Sequence, residues 1–288
     1  MRLRRYKGSP ILKSRGDDWE SVATFNCAAL HRDGRIHVLY RAVGDYVRYA
    51  SHLGYAVFDE KLRLLERPEE PMFGPDLRLW EKSIEDARFT EIEGEVYVTY
   101  VITTTPSPPG AVRRRLGIPK PMQAGTRVAL TRVEGFRRFE RLGVITPYRA
   151  DERDVVLFSE KIGGKYAAIH RPHNWLGPDC PVEQPGMWFA FLDGLPGRMY
   201  HHKVIMGPEQ LWEGRKIGAG PPVKTDHGWL LIYHGVGEDK VYRLGVALLD
   251  PNDPTVVLKQ GGTDSGAGGR MGTARRCAQR RLQRRQRR

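Results

Sequence analysis

One short pattern recurs four times along the chain, and it restricts the fold more than any other feature. A turn glycine is followed by alternating apolar residues that end near an aromatic or a histidine. The copies read Gly34-RIHVLY, Gly94-EVYVTY, Gly164-KYAAIH and Gly228-WLLIYH, with glycines 60, 70 and 64 residues apart. Each copy has the form of the second strand of a hairpin, with glycine in the turn where φ is positive. The strands before the turns also repeat: TFNCAALHRDG, IEDARFTEIEG, RDVVLFSEKIGG and GAGPPVKTDHG. A further apolar strand follows each pair, in HLGYAVFDE, TRVALTRVEG, MWFAFLDGL and YRLGVALLD. The unit is therefore at least three antiparallel strands in about 65 residues, with little helical periodicity. Sandwiches also use many short strands, but they do not predict a repeat of this length. The expected class is all-β, a propeller of four-stranded blades.

Four units are visible, and the last ends near Leu258. Residues 261–288 carry nine arginines against one acid, Asp264, so most of the net charge of +13 sits there. That composition predicts a disordered basic tail behind a propeller domain at 1–260. Because the charge is localised, it says little about the body of the chain, and the tail lacks the aromatic interleaving of a nucleic-acid binder. No nucleic-acid partner is expected. No apolar run approaches a membrane span, and the basic start MRLRRYKGSP is not followed by the apolar stretch of a secretory signal. Cys27, Cys180 and Cys277 are odd in number and lack ligand spacing, which fits a reducing, cytoplasmic setting.

The first strand of a propeller blade lines the central channel. Counting back from the turn glycines by 8, 8, 10 and 8 residues gives Asn26, Asp86, Asp154 and Gly220. Polar groups from separate repeats would thus converge on one funnel. Glu85-Asp86, in a strand otherwise apolar or small, is the sharpest feature. A carboxylate in a partly dry channel has a raised pKa and serves as a general acid. A second set is basic: Arg41, Arg127, Arg153, Lys161, His170 and Arg171 lie largely at strand ends. Singly they read as solvated charge; together they suit an anion such as phosphate, whose oxygens match guanidinium forks. The histidines His31, His37, His52 and His227 read as packing, and no spacing predicts a metal. The tryptophans Trp175, Trp188, Trp212 and Trp229 suit sugar stacking or core packing equally.

These segments resemble glycoside hydrolase family 130. The resemblance is carried by FNCAAL with LYRAVG, IEDARFTEIEGEVYVTYV, RDVVLFSEKIGGKYAAIHRPH, and KIGAGPPVKTDHGWLLIYHGV followed by YRLGVALLDPNDPTVVL, spanning residues 20 to 258. It implies a five-bladed β-propeller and an inverting phosphorylase that cleaves a β-mannoside with inorganic phosphate, giving α-mannose 1-phosphate. Asp86 stands where the family's catalytic acid does, and a proposed family route passes its proton through a sugar hydroxyl. Asn26 and Arg41 match ligands of the sugar beside the scissile bond, with Glu85 and Asp154 as further sugar-side candidates. Arg127, Arg153, Lys161, His170 and Arg171 fall in segments on the phosphate side. Phosphate is a co-substrate, and no cofactor is implied. The match stops after Leu258, so the fifth blade is expected to be incomplete or missing. Two alternatives stay open: hydrolysis of a β-mannoside, and an inactive sugar-binding propeller. The Pro-rich stretch 103–121 reads as a cover over the site or a subunit contact, which keeps a homo-oligomer among the expected partners.

Overall fold

The recurring glycines build hairpins. In the computed structural model, which describes residues 6–45, 47–104, 125–177 and 179–262, Asp33-Gly34 and Glu93-Gly94 form two-residue loops with all four φ angles positive. That geometry matches the twist of the flanking strands. Most of the Pro-rich stretch and nearly all of the basic tail lie outside the described residues.

Seventeen strands form four antiparallel sheets among the described residues. The first sheet holds β1 (Ala23–Arg32), β2 (Arg35–Val43), β3 (Ser51–Asp59) and β4 (Leu64–Glu66). The second holds β5 (Ser83–Ile92), β6 (Glu95–Thr103), β7 (Thr126–Glu134) and β8 (Arg138–Val144). The third holds β9 (Val156–Leu157), β10 (Tyr166–His170), β11 (Met187–Leu192) and β12 (Met199–Met206). In the fourth, β13 (Lys216–Ala219) and β14 (Val223–Thr225) both pair with β15 (Gly228–Val236), followed by β16 (Tyr242–Leu249) and β17 (Val257–Gly262). Pro221 and Pro222 divide the first strand of this sheet in two, since proline cannot donate to the ladder.

The sheets pack face to face in chain order, as propeller blades do. Leu39, Leu53 and Val57 of the first meet Ile84, Phe89 and Val98 of the second. Val101, Val128 and Leu130 meet Leu157, Ala168 and Ala190 of the third. Ile169, Met187 and Phe189 meet Ile217, Trp229 and Leu231 of the fourth. Strands covered on both faces bury both sets of alternating residues, and β2, β6 and β10 are buried nearly throughout. Blade four departs from this. Its far face leaves Ile232, Leu244 and Leu258 38%, 45% and 41% exposed.

Each blade is also closed by a buried carboxylate just ahead of its first strand. In blade one Tyr40 donates to Glu20 at 2.8 Å, and Arg67 reaches the same oxygen at 2.7 Å. In blade two Tyr100 donates to Glu81 at 2.9 Å, and Arg141 pairs with it at 3.0 Å. Blade four repeats the device with Tyr233 on Glu213 at 2.6 Å and Gln260 on the tyrosine oxygen at 3.0 Å. Blade three substitutes histidines: His170 Nδ1 lies 2.6 Å from Glu152, and His202 Nδ1 lies 3.0 Å from His170 Nε2. The four glutamates are at most 3% exposed. In blades one and two a tyrosine of the second strand and an arginine at or just past the last both reach the glutamate, so the buried charge is compensated, whereas Glu152 Oε2 in blade three has no hydrogen-bond partner. Gly54 and Gly245, opposite Tyr40 and Tyr233, let the rings lie across the neighbouring strand; a Cβ there would come within 2.2 and 2.3 Å of a ring carbon.

Candidate active site

The polar residues of the first strands sit where the ladder is interrupted. Phe25 pairs with Arg41 and Ala28 with Leu39, so Asn26 and Cys27 stand opposite Tyr40 alone. In the same way Asp86 and Ala87 stand opposite Tyr100. Both are β-bulges, and Asn26 and Asp86 take φ of 47° and 49°. The bulges bring the two side chains together across adjacent blades: Asn26 Nδ2 donates to Asp86 Oδ1 at 2.9 Å.

Arg41 organises this side. Its guanidinium contacts Asp86 Oδ1 at 3.2 Å, Glu85 Oε1 at 2.7 Å and Ser51 Oγ at 3.0 Å. Ser51 is held in turn by Ser83, with the two hydroxyls 2.8 Å apart. Burial pushes the Glu85 carboxyl up; Arg41 opposes the rise, Asp86 adds to it, and Arg153, 3.6 Å away, opposes it. The carboxyl displaced in the direction expected of a dry channel is thus Glu85.

A second cluster spans blades two to four. Asp154, 5% exposed, accepts from Arg171 Nε at 2.8 Å and from Arg171 Nη2. Arg88 of blade two lies 3.8 Å from its Oδ1, and His234 of blade four lies 3.6 Å from its Oδ2. Burial alone would raise the Asp154 pKa, but Arg171, His234 and Arg88 outweigh it and hold the carboxyl well below its usual range. Arg171 also meets His173, whose pKa burial and the charges of Arg171, Arg153 and Lys216 lower to about 3. Burial likewise lowers that of His234. Both imidazoles are neutral at pH 7. No group of three or more His, Cys, Asp or Glu able to hold a metal ion occurs among the described residues.

The structure therefore brings together Asn26, Arg41, Glu85, Asp86, Arg153, Asp154 and Arg171. Arg127 is the second residue of β7 and lies over the Tyr148 ring at 4.6 Å. Two of the sequence candidates are elsewhere. Lys161 pairs with Glu93 at 2.7 Å, and Glu93 stands seven residues along the chain from Asp86, roughly 20 Å of extended strand. His170 is fully buried in the blade-three clasp and faces Glu152 and His202. The tryptophans are structural as well: Trp229 is buried in the core, Trp175 packs against Trp188 and His202, and Trp212 stacks on Tyr233.

The family model described as β-1,4-mannooligosaccharide phosphorylase, that of glycoside hydrolase family 130, matches residues 1–262. The chain belongs to glycoside hydrolase family 130. A 1,2-β-oligomannan phosphorylase of Thermoanaerobacter sp. (strain X514) is 33% identical over 266 residues, covering 90% of this family 130 chain and 80% of that protein. A β-1,2-mannobiose phosphorylase of the same organism is 32% identical over 270 residues, covering 89% and 80%. Among solved structures, β-1,2-mannobiose phosphorylase from Listeria innocua in complex with β-1,2-mannobiose superposes with a TM-score of 0.69 at 23% identity, over 90% of this chain and 82% of that one. This last likeness concerns the fold.

Several site residues of the family 130 chain escaped the sequence reading: Ser51, Ser83, Arg88, His173 and His234. A signal for some of them was present. Trp19-Glu20, Trp80-Glu81 and Trp212-Glu213 recur ahead of the first strands and mark the clasps. In the second strands the clasp residue is followed by Arg41, Arg171 or His234, the basic site residues of blades one, three and four. Aligned on the clasp tyrosines, the blade-four residue opposite Tyr233 is Ala219, and Gly218 pairs with His234 as Glu85 pairs with Val101.

Proposed function

We propose that this chain is an inverting β-mannoside phosphorylase. In this reading inorganic phosphate attacks the anomeric carbon of the mannosyl unit. The bond to the glycosidic oxygen breaks, and that oxygen takes a proton originating from Asp86. The products are α-mannose 1-phosphate and the shortened sugar. No cofactor is required beyond phosphate as co-substrate. Asp86 is the general acid, oriented by Asn26 and Arg41, while Asn26, Arg41 and Glu85 serve the sugar side. Arg153 and the cations around Asp154 serve the phosphate side, with Arg127 at its margin; Lys161 and His170 have no part in it.

The observation that carries this reading is the division of the site. A carboxylate held by neutral and cationic donors stands on one side, and a cation-rich cluster spanning three blades stands on the other. An inverting hydrolase needs a second carboxylate to activate water. A phosphorylase replaces it with a pocket that binds a ready-made nucleophile. The two carboxylates beyond Asp86 are committed: Glu85 to Arg41 at 2.7 Å, and Asp154 to Arg171 at 2.8 Å.

The same proposal includes a five-bladed plan in which the fifth blade, due after β17, is incomplete or missing. Two facts support it. The exposed apolar face of blade four is what an inward neighbour would cover. The fifth of the Thermoanaerobacter protein that this chain leaves uncovered amounts to about one blade repeat. No helix among the described residues is long and apolar enough to cross a membrane; the reading places the enzyme in the cytoplasm, where phosphate and sugar phosphates are retained.

The test is incubation with β-1,2-mannobiose or β-1,4-mannobiose, with and without phosphate, followed by chromatography. The β-1,2 substrate comes first, because both Thermoanaerobacter relatives are named for that linkage. Phosphate-dependent appearance of mannose 1-phosphate is the expected result. Release of free mannose at equal rates with and without phosphate establishes hydrolysis instead.

A further inference from the structure

We propose that Asp154 is a positioning residue that sets the anion side of the site by fixing two arginines and an imidazole from three blades, without itself touching the sugar. The proposal rests on the phosphorylase reading and refines it. Asp154 is the one carboxylate among the described residues that contacts charged or titratable side chains of blades two, three and four together: Arg88, Arg171 and His234. Its own exposure of 5% leaves little surface for a ligand. The side chains around it are graded outward. Arg171 is 2% exposed, whereas the Arg88 and His234 side chains are 16% and 20% exposed, and that of Arg153 is 36% exposed. The buried guanidinium anchors the carboxylate, and the accessible groups present N–H donors to the channel.

The charge arrangement suits a phosphate. Arg88, Arg153 and Lys216 act on the neutral imidazoles of His173 and His234, and Asp154 is the carboxylate opposing them. The cluster is therefore a net cation whose spacing is imposed from behind by a buried anion. Left without that anion, the guanidiniums would separate by mutual repulsion, and the planar fork geometry that recognises phosphate would be lost.

Blade four is shaped around this contact. A Cβ added at Gly218 would lie 2.4 Å from Asp154 Oδ2 and 2.6 Å from His234 Cε1. Gly218 sits in the ladder opposite His234, with no positive φ to require glycine. Space for the carboxylate is what its missing side chain provides.

Two variants of the full chain test this, Asp154→Asn and Gly218→Ala, each first checked by thermal melting. Isothermal titration then measures inorganic phosphate alone and β-1,2-mannobiose alone. Both variants are expected to bind phosphate at least tenfold more weakly than wild type, with mannobiose affinity changed less than twofold. If Asp154→Asn leaves Arg171 unpaired and the chain does not fold, Gly218→Ala alone decides, because it displaces the carboxylate without removing a charge. Folded variants that bind phosphate within twofold of wild type overturn the proposal. So does equal weakening of both ligands, which would make Asp154 a general structural element. A wild-type chain that binds mannobiose and no phosphate overturns the phosphorylase reading itself, a distinct result.

Discussion

Replacing Glu81 with alanine tests the clasp that holds blade two. Glu81 is 2% exposed and makes three kinds of contact. It accepts from Tyr100 at 2.9 Å, pairs with Arg141 at 3.0 Å and accepts from the Asp76 backbone N–H at 3.0 Å. Removing one partner of a buried ion pair costs about 3–5 kcal/mol, chiefly because the other charge is left uncompensated. The Arg141 side chain is 25% exposed and regains some water, which points to the lower end. A buried tyrosine hydroxyl left unsatisfied adds about 1 kcal/mol. The total is about 4 kcal/mol, which lowers Tm by roughly 10 °C for a domain of this size. Tyr100→Phe removes a single hydrogen bond and costs about 1 kcal/mol. Urea denaturation followed by tryptophan fluorescence measures both, and the double variant yields their coupling. A Glu81→Ala loss below about 1 kcal/mol would refute the reasoning, since it would show that the clasp is no better than solvated groups.

Three further outcomes are expected. Asp86→Asn lowers kcat by about 10²–10⁴ while the melting curve stays near wild type, as measured by mannose 1-phosphate release. Arg153→Ala raises the KM for phosphate more than that for mannoside, whereas Lys161→Ala changes neither, because Lys161 is tied to Glu93 away from the site. Stability falls with acid: the pKa of His173 is about 3 and that of His202 about 4, both below their ordinary 6.5. The unfolded chain therefore binds more protons than the folded one below pH 6.5. Their contribution is fully present above 6.5 and is lost as pH drops toward 4. Urea midpoints measured across that window should decline, and His202→Gln should flatten the decline.

The blade repeat was legible because alternation and turn glycines are local properties of a strand. Convergence of Asn26 and Asp86 could also be read, since equal offsets from a turn give equal positions in a repeat. What alternation does not encode is which end of a strand faces the site. Lys161 was therefore grouped with Arg153, although the two lie at opposite ends of blade three's first hairpin. His170 sits away from Arg171's partners for a related reason. It precedes Arg171 as Tyr40 precedes Arg41, and residues adjacent in a strand point to opposite faces. Blade three also strayed from the count because its first strand is reduced to Val156–Leu157. The Asp154 cluster joins three blades through contacts distant in sequence, and no local pattern announces such a meeting.

The bulges at Asn26 and Asp86 have a bearing on how this chain responds to selection. A residue other than glycine at φ near +50° holds a conformation worth about 1 kcal/mol or more in strain. Glycine at either position would relax the backbone and remove the side chain that the bulge exists to present. On the proposed role of Asp86, laboratory evolution for heat resistance alone would thus favour Asn26→Gly and Asp86→Gly, and would arrive at a sturdier protein without its general acid. On the same reading, the strain at the two positions is the stability cost of keeping their side chains in the site.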